Sequence, residues 1–410
     1  MSRHELAIAV PRALRDEISK SLYWLDRRIR AITFLEREPA VLAVELADET
    51  ETETLLAQIE ATVKRLVKVH SSFPSKVIYE SPHVPAEHVG DPFEALMAHG
   101  WILPSADGSF AYSGLMLDLY RALDLSVARA ALSLGASEHK FPALISLEAL
   151  RRSGYLENFP HQVKFVSHLP EQQDWIESFK GRLGDDAGAA LASAAPVYDA
   201  HVLSPTVCYH YYHRLADTTL KGDAVSVTAS SACFRYESKA QRSLRRLSEF
   251  NMREIVVVGT PQEIKTRHQQ LYQALLQLFK LFHLAGRIQT ASDPFFLDSY
   301  VQQRIYQVSF DLKYEAQAFL PQDGDHIAIA SLNLHQDHFG KLFNIRLPSG
   351  EAANSCCLGF GLDRWCFAVF SQHGLQEECW PQDLRDLLAQ SRHVFRQLGY
   401  GEDQHVIGSA

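Results

Sequence analysis

Arg235 and Glu237 stand two residues apart in the run Cys233-Phe-Arg-Tyr-Glu237. In an extended segment side chains alternate between faces, so the spacing predicts that both point the same way. A basic stretch follows, with Lys239, Arg242, Arg245 and Arg246, then Phe250 and a second β-type run, Glu254-Ile-Val-Val-Val-Gly259. A strand, a basic loop and a strand that present Arg, Glu and Phe together suit a nucleotide. Guanidinium neutralises phosphate, carboxylate accepts from an exocyclic amine, and the aromatic ring stacks on a base. The competing reading of Arg235 and Glu237 alone is a surface cross-strand pair. Farther along, Gly359-Phe-Gly-Leu-Asp-Arg364 places another arginine where a helix opens.

The elements that must hold these residues fall into two groups. Residues 5–10, 30–35, 41–46 and 76–79 read as strands, and 13–25 and 52–67 as helices. This β-α-β-β-α-β order predicts a small N-terminal α+β domain of ferredoxin-like type over residues 1–85. Residues 86–108 carry Pro, Gly and His and read as a linker, leaving 109–410 as the larger domain. There, 115–134 and 271–284 have helical apolar spacing, a short helix lies near 147–152, and 305–315 and 326–333 read as strands. Many strands with little β-α-β alternation predict an α+β fold with an antiparallel sheet flanked by helices.

The chain has 410 residues, 46% hydrophobic and 22% charged, which is ordinary globular composition for two or three domains. No apolar run reaches the roughly 18 residues that span a bilayer, so no membrane role is expected. The net charge of −9 lowers the expectation of a large nucleic-acid partner. Six scattered cysteines without a C-x-x-C, and an N-terminus lacking the basic-then-apolar pattern of a secretory signal, predict a reducing cytoplasm.

From about Tyr112 onward the chain resembles the catalytic core of class II aminoacyl-tRNA synthetases, in the seryl branch. The helix before Phe141-Pro142 looks like motif 1, which implies a homodimer. Phe234-Arg-Tyr-Glu237 with Arg246 and Phe250 looks like motif 2, and Gly359 to Arg364 looks like motif 3. The resemblance implies ATP with Mg2+. Arg235 would orient the α-phosphate, Glu237 would read adenine N6, Phe250 would stack on the ring, and Arg246 and Arg364 would meet the phosphates. One departure is Ile327-Ala-Ile-Ala, where many class II enzymes carry a magnesium-binding acid.

A finer likeness narrows the branch. Ser204-Pro-Thr-Val-Cys208 occupies the place of the amino-acid-binding Thr-x-Glu of ordinary seryl-tRNA synthetases, with Cys for Glu. With Glu254 and Cys357 it resembles the zinc site of the methanogen-type enzymes and of their relatives, the amino acid:[carrier protein] ligases. Two thiolates, a carboxylate and an open position suit Zn2+. Cys233, Cys366, His210 and His213 fit ordinary buried or solvated roles better, and Cys356 beside Cys357 is ambiguous. Ser331 to Gly340 and Phe159-Pro-His161 also look like the ligases, and 1–85 shows neither sustained heptads nor a basic surplus. The implied function is ATP-dependent activation of a small amino acid (Gly, Ala or Ser) and its transfer to a phosphopantetheinylated carrier protein. A seryl-type synthetase acting on tRNA and a non-catalytic paralogue are the alternatives. Lys313 and Glu315, on one strand face, read equally as pocket lining and as a structural pair.

Overall fold

The computed structural model describes residues 2–11, 14–35, 41–72, 74–85, 91–184, 188, 190, 196–237, 243–291 and 311–399. The N-terminal unit is built from β1 (Ser2–Leu6), α1 (Arg15–Leu25), β2 (Ile29–Leu35), β3 (Val41–Leu46) and α2 (Thr52–Ser72). Its sheet runs β1-β3-β2, all antiparallel. Leu42, Val44 and Leu46 alternate on β3 and meet Ile18 and Leu22 of α1 and Ile59 and Val63 of α2 in a core of their own. Each such buried aliphatic side chain contributes about 1.5–3 kcal/mol.

The strand expected to complete this unit goes elsewhere. β4 (Val77–Glu80) is the edge strand of the central sheet, where it pairs with β13 (Gly286–Thr290). Tyr79 packs edge-on against Phe279 at 6.3 Å, and Lys76 N donates to Thr290 Oγ1 at 2.8 Å. The aromatic side chain thus joins the larger core instead of the smaller one. Residues 91–108 of the expected linker are also structured. They contain α3 (Phe93–Ala98) and β5 (Ile102–Ala106), which hairpins with β6 (Ser109–Tyr112). Phe93, Leu96 and Ile102 are buried in the large core, which is why this stretch is ordered.

Then come α4 (Gly114–Ser133), β7 (Ser137–Glu138), β8 (Leu144–Ser146), α5 (Leu147–Arg152), α6 (Tyr155–Asn158), β9 (Phe165–His168), α7 (Gln173–Arg182), β10 (Val197–Leu203) and α8 (Cys208–Arg214). The long hairpin β11 (Ala224–Phe234) and β12 (Glu249–Gly259) is followed by α9 (Pro261–Leu281). The latter starts ten residues before its most apolar stretch because Thr260 caps it, accepting from Glu263 N at 3.3 Å, with Pro261 in the first turn. After β13 come β14 (Lys313–Leu320), β15 (Asp325–Gln336), α10 (His338–Leu342), β16 (Asn354–Gly361), α11 (Leu362–His373) and α12 (Gln382–Gln397). Residues 305–310 of the strand expected at 305–315 lie outside the described residues.

The central sheet has eight strands in the order β4-β13-β14-β15-β16-β12-β11-β7, antiparallel except for the β11–β7 pair. One face is covered by α4, α9 and α11. There Ile255, Val257, Leu332, Leu358 and Phe360 meet Leu119, Leu275 and Trp365. The opposite face, set by the same two-residue alternation, carries the polar side chains.

Candidate functional site

On the strands that form the middle of the site, every second residue turns from the core toward this polar face. Phe250, Met252 and Glu254 alternate on β12, Cys357 and Gly359 on β16, Ser331, Asn333 and His335 on β15, and Lys313, Glu315 and Gln317 on β14. Glu254 lies in register with Ala229 and Gly359. A Cβ on Gly359 would come 2.9 Å from Met252 Cε and 3.4 Å from Glu254 Cγ. The glycine therefore gives the glutamate its room.

β11 ends at Phe234, so Arg235 and Glu237 sit just past the strand and not within it. Arg235 N donates to Ser248 O at 3.2 Å, and its Nε donates to Pro205 O at 3.1 Å. Its guanidinium lies over the Phe250 ring, 5.1 Å from the centroid. Arg246 Nε is 3.7 Å from Glu237 Oε2. Arg364, in the first turn of α11, donates to Ala328 O at 3.4 Å. Burial first, then the neighbouring Arg364, pushes Arg246 down to about 10. Burial lowers Arg364 as well, partly offset by Glu237. Both remain charged at neutral pH. With Arg235 they gather three guanidinium groups around Glu237, a set of donors suited to an anion such as a polyphosphate. Lys239 and Arg242 of the basic stretch lie outside the described residues. Arg245 instead pairs with Asp91 and Asp323, each at 2.8 Å.

Asp363 locks this half together. It accepts from Asn251 N at 2.6 Å, from Asn251 Nδ2 at 3.3 Å and from the Tyr112 hydroxyl. The start of α11, with Arg364, is thereby tied to β12 beside Phe250. Neither Asp363 nor Tyr112 stood out as a site residue in the sequence, although Asp363 directly precedes Arg364.

The second half is the cluster Cys208, Glu254 and Cys357. All three are buried, and their ligand atoms lie within 4.8 Å of one another. Glu254 Oε1 accepts from Thr206 Oγ1 at 2.6 Å and Val207 N at 3.1 Å, and Oε2 accepts from Cys208 N at 3.1 Å. Cys357 Sγ is 3.6 Å from Asn333 Nδ2 and 3.8 Å from His335 Nε2. The His335 ring is steadied by the Tyr212 hydroxyl at 3.1 Å and Ser355 Oγ at 3.4 Å. A proton shared with Cys208, then His335 and Asn333, holds the Cys357 thiol well below its ordinary value. The same shared proton and burial raise Cys208. Burial, then Cys357, pushes Glu254 up to about 7. Two sulfurs and an oxygen that cannot all be charged without a cation form a donor set with the chemistry of a metal site.

Cys356 points into the large core, as do Cys366 and its neighbours. His210 stacks on Phe141 at 5.4 Å, away from the trio. Thr206, Asn333 and His335 lie in runs the sequence reading noted, but none was singled out as a site residue. The alternation Ser331, Asn333, His335 on a strand opposite Cys357 was the available signal. Lys313 and Glu315 pair at 3.3 Å, and Gln317 Nε2 donates to Glu315 at 3.4 Å, on the same polar face.

No model of a known protein family matches the chain. Amino acid--[acyl-carrier-protein] ligase 1 of Bradyrhizobium diazoefficiens is 30% identical over 319 residues, which cover 78% of this chain and 96% of that protein. The type-2 serine--tRNA ligase of Methanopyrus kandleri is 27% identical over 339 residues, covering 78% of this chain and 64% of that protein. Among solved structures, the M. kandleri SerRS crystallised with A. aeolicus tRNASec has a TM-score of 0.67 at 23% identity. That match covers 95% of this chain and 78% of that one. The likeness carries the fold, a class II synthetase sheet flanked by helices.

Proposed function

Because the chain belongs to the amino acid--[acyl-carrier-protein] ligase family of class II synthetase-like enzymes, we propose that it activates a small amino acid with ATP and loads it onto the phosphopantetheine thiol of a carrier protein. The observation that carries this reading is the 30% identity across 96% of such a ligase, joined to a buried Cys/Glu/Cys trio beside three clustered arginines.

ATP with Mg2+ is the nucleotide substrate. Arg235 orients the α-phosphate and neutralises charge that grows on it. Glu237 accepts from the adenine amine, Phe250 flanks the ring, and Arg246 and Arg364 hold the outer phosphates. The amino acid carboxylate attacks the α-phosphorus, its new P–O bond replaces the bond to pyrophosphate, and an aminoacyl adenylate forms. The thiol then attacks the acyl carbonyl. A thioester forms, the acyl–phosphate bond breaks, AMP leaves, and the thiol proton passes to solvent. The protein's part is placement and charge, with no covalent enzyme intermediate.

Cys208, Glu254 and Cys357 would hold Zn2+, which when bound supplies a Lewis-acid position for an α-amino group. Thr206 and the Val207 and Cys208 amides orient the carboxylate, and Asn333 and His335 orient the Cys357 sulfur. Gly, Ala and Ser are the amino acids proposed, and the residues around Gly359 do not choose among them. The motif 1 segment around α4 and Pro142 would form a homodimer interface. All six cysteines are free and no described helix is long and apolar enough to cross a membrane, which suits the reducing cytoplasm.

Amino-acid-dependent ATP–pyrophosphate exchange with Gly, Ala and Ser, followed by transfer to holo carrier protein or to tRNA, tests the reading. Transfer to tRNA alone would establish the second reading, a seryl-type tRNA ligase. That alternative is favoured by the 27% identity to the M. kandleri protein.

A further inference from the structure

The N-terminal unit takes no part in the chemistry above, yet it reaches the nucleotide loop. Trp24, near the C-terminal end of α1, meets two rings of the larger body edge-on. Its centroid is 5.0 Å from that of His161 and 5.6 Å from that of Tyr236. Tyr236 is the residue between Arg235 and Glu237. Its backbone N donates to Gln162 O at 2.9 Å, which ties residues 160–162 and the nucleotide loop into one shelf beneath the indole. The Tyr155 hydroxyl donates to Gln162 Oε1 at 3.0 Å and fixes the shelf from below.

The indole is held by a rigid support. Ile18 and Leu22 of the same helix are fully buried in the N-terminal core. Tyr236 itself is 49% exposed, so its ring has little else to hold it. Its Cα lies between those of Arg235 and Glu237, so fixing the ring on Trp24 restrains the backbone that carries both. Backbone bonds to Ser248 O and Gln162 O fix the path of this segment; the Trp24 contact adds to them, and motion that remains in the segment must be ordered when nucleotide binds, a cost that weakens the apparent affinity.

We infer that Trp24 is a positioning residue for ATP. Through Tyr236, the N-terminal unit braces the Arg235–Glu237 segment in its nucleotide-binding arrangement, while the Cys208, Glu254 and Cys357 trio is anchored independently. The inference rests on the proposed ATP-dependent activation.

The test combines calorimetric titration of Mg-ATP with exchange kinetics on the full chain. Trp24→Ala raises both the ATP dissociation constant and the ATP KM by about threefold to tenfold, the range expected for loss of aromatic pair contacts. The amino acid KM stays unchanged, and Trp24→Phe recovers most of the loss. Tyr236→Ala weakens ATP similarly, and the double variant is no worse than either single one, because the two act through one contact. Unchanged ATP affinity in Trp24→Ala, equal losses for ATP and amino acid, or additive losses in the double variant would overturn the inference. If Trp24→Ala fails to fold, the Tyr236→Ala and Trp24→Phe pair decides alone: unchanged ATP binding in Tyr236→Ala rejects the brace. A wild type that binds ATP but shows no exchange sinks the activation reading instead, since the dissociation constant is read separately.

Discussion

The backbone N of Cys208 donates to Glu254 Oε2 at 3.1 Å, while the Cys208 side chain shares the pocket with the same carboxylate and Cys357. One short turn therefore presents a sulfur and orients the neighbouring oxygen. Val207 N and Thr206 Oγ1 occupy the other oxygen, so both oxygens of the carboxylate are fixed by residues 206–208.

From that arrangement, Cys357→Ser abolishes bound zinc, while His335→Ala keeps the donor set and weakens metal affinity about 10- to 100-fold, as outer partners of ligands do. Metal content after dialysis against a graded chelator series measures both. Equal retention of zinc in wild type and Cys357→Ser would remove that cysteine from the site.

Arg235→Ala removes the charge proposed to face the α-phosphate and leaves the trio intact. Exchange activity falls by about 10²- to 10³-fold, the scale for losing one preorganised donor at a developing charge. Zinc content stays at the wild-type level. The split between the two readouts separates loss of nucleotide chemistry from collapse of the sheet face.

Asp363 offers a stability test. Asp363→Ala strips a buried acceptor from the half-buried Tyr112 hydroxyl and from Asn251 N. Each stranded donor costs about 1–3 kcal/mol. Urea unfolding should show the loss, and Asp363→Asn, which keeps one acceptor oxygen, should lie between wild type and Ala.

Glu254, Cys357 and Phe250 were legible in the sequence through the likeness to the family, and the structure puts all three on one face by two-residue alternation along paired strands. Arg235 and Glu237 came to one pocket by a different route, since the strand ends at Phe234 and a backbone bond to Ser248 O holds the loop. What sequence order could not supply was partnership across the sheet. β4 reads as a completing strand for the N-terminal unit because it follows α2, yet Tyr79 finds its apolar partner, Phe279, more than 190 residues away. His335 falls in the ligase-like run Ser331 to Gly340, but its partnership with Cys357 shows only once β15 lies beside β16. The stretch 93–106 reads as a linker from its Pro, Gly and His, and only the burial of Phe93 and Leu96 shows otherwise.

The seam between Trp24 and His161 gives the protein an acid-sensitive contact. Burial lowers His161 from 6.5 to about 4, so the folded state holds it neutral where the unfolded chain takes up a proton. The unfolded state binds more protons between those values, so unfolding free energy falls as pH drops from 6.5 to about 4 and is unaffected by this group above 6.5. His161→Phe keeps a ring against Trp24 and removes the titration. Thermal unfolding followed across pH 4 to 7 should therefore fall less steeply in that variant than in wild type. Identical slopes for the two proteins would show that His161 does not titrate as a buried neutral group.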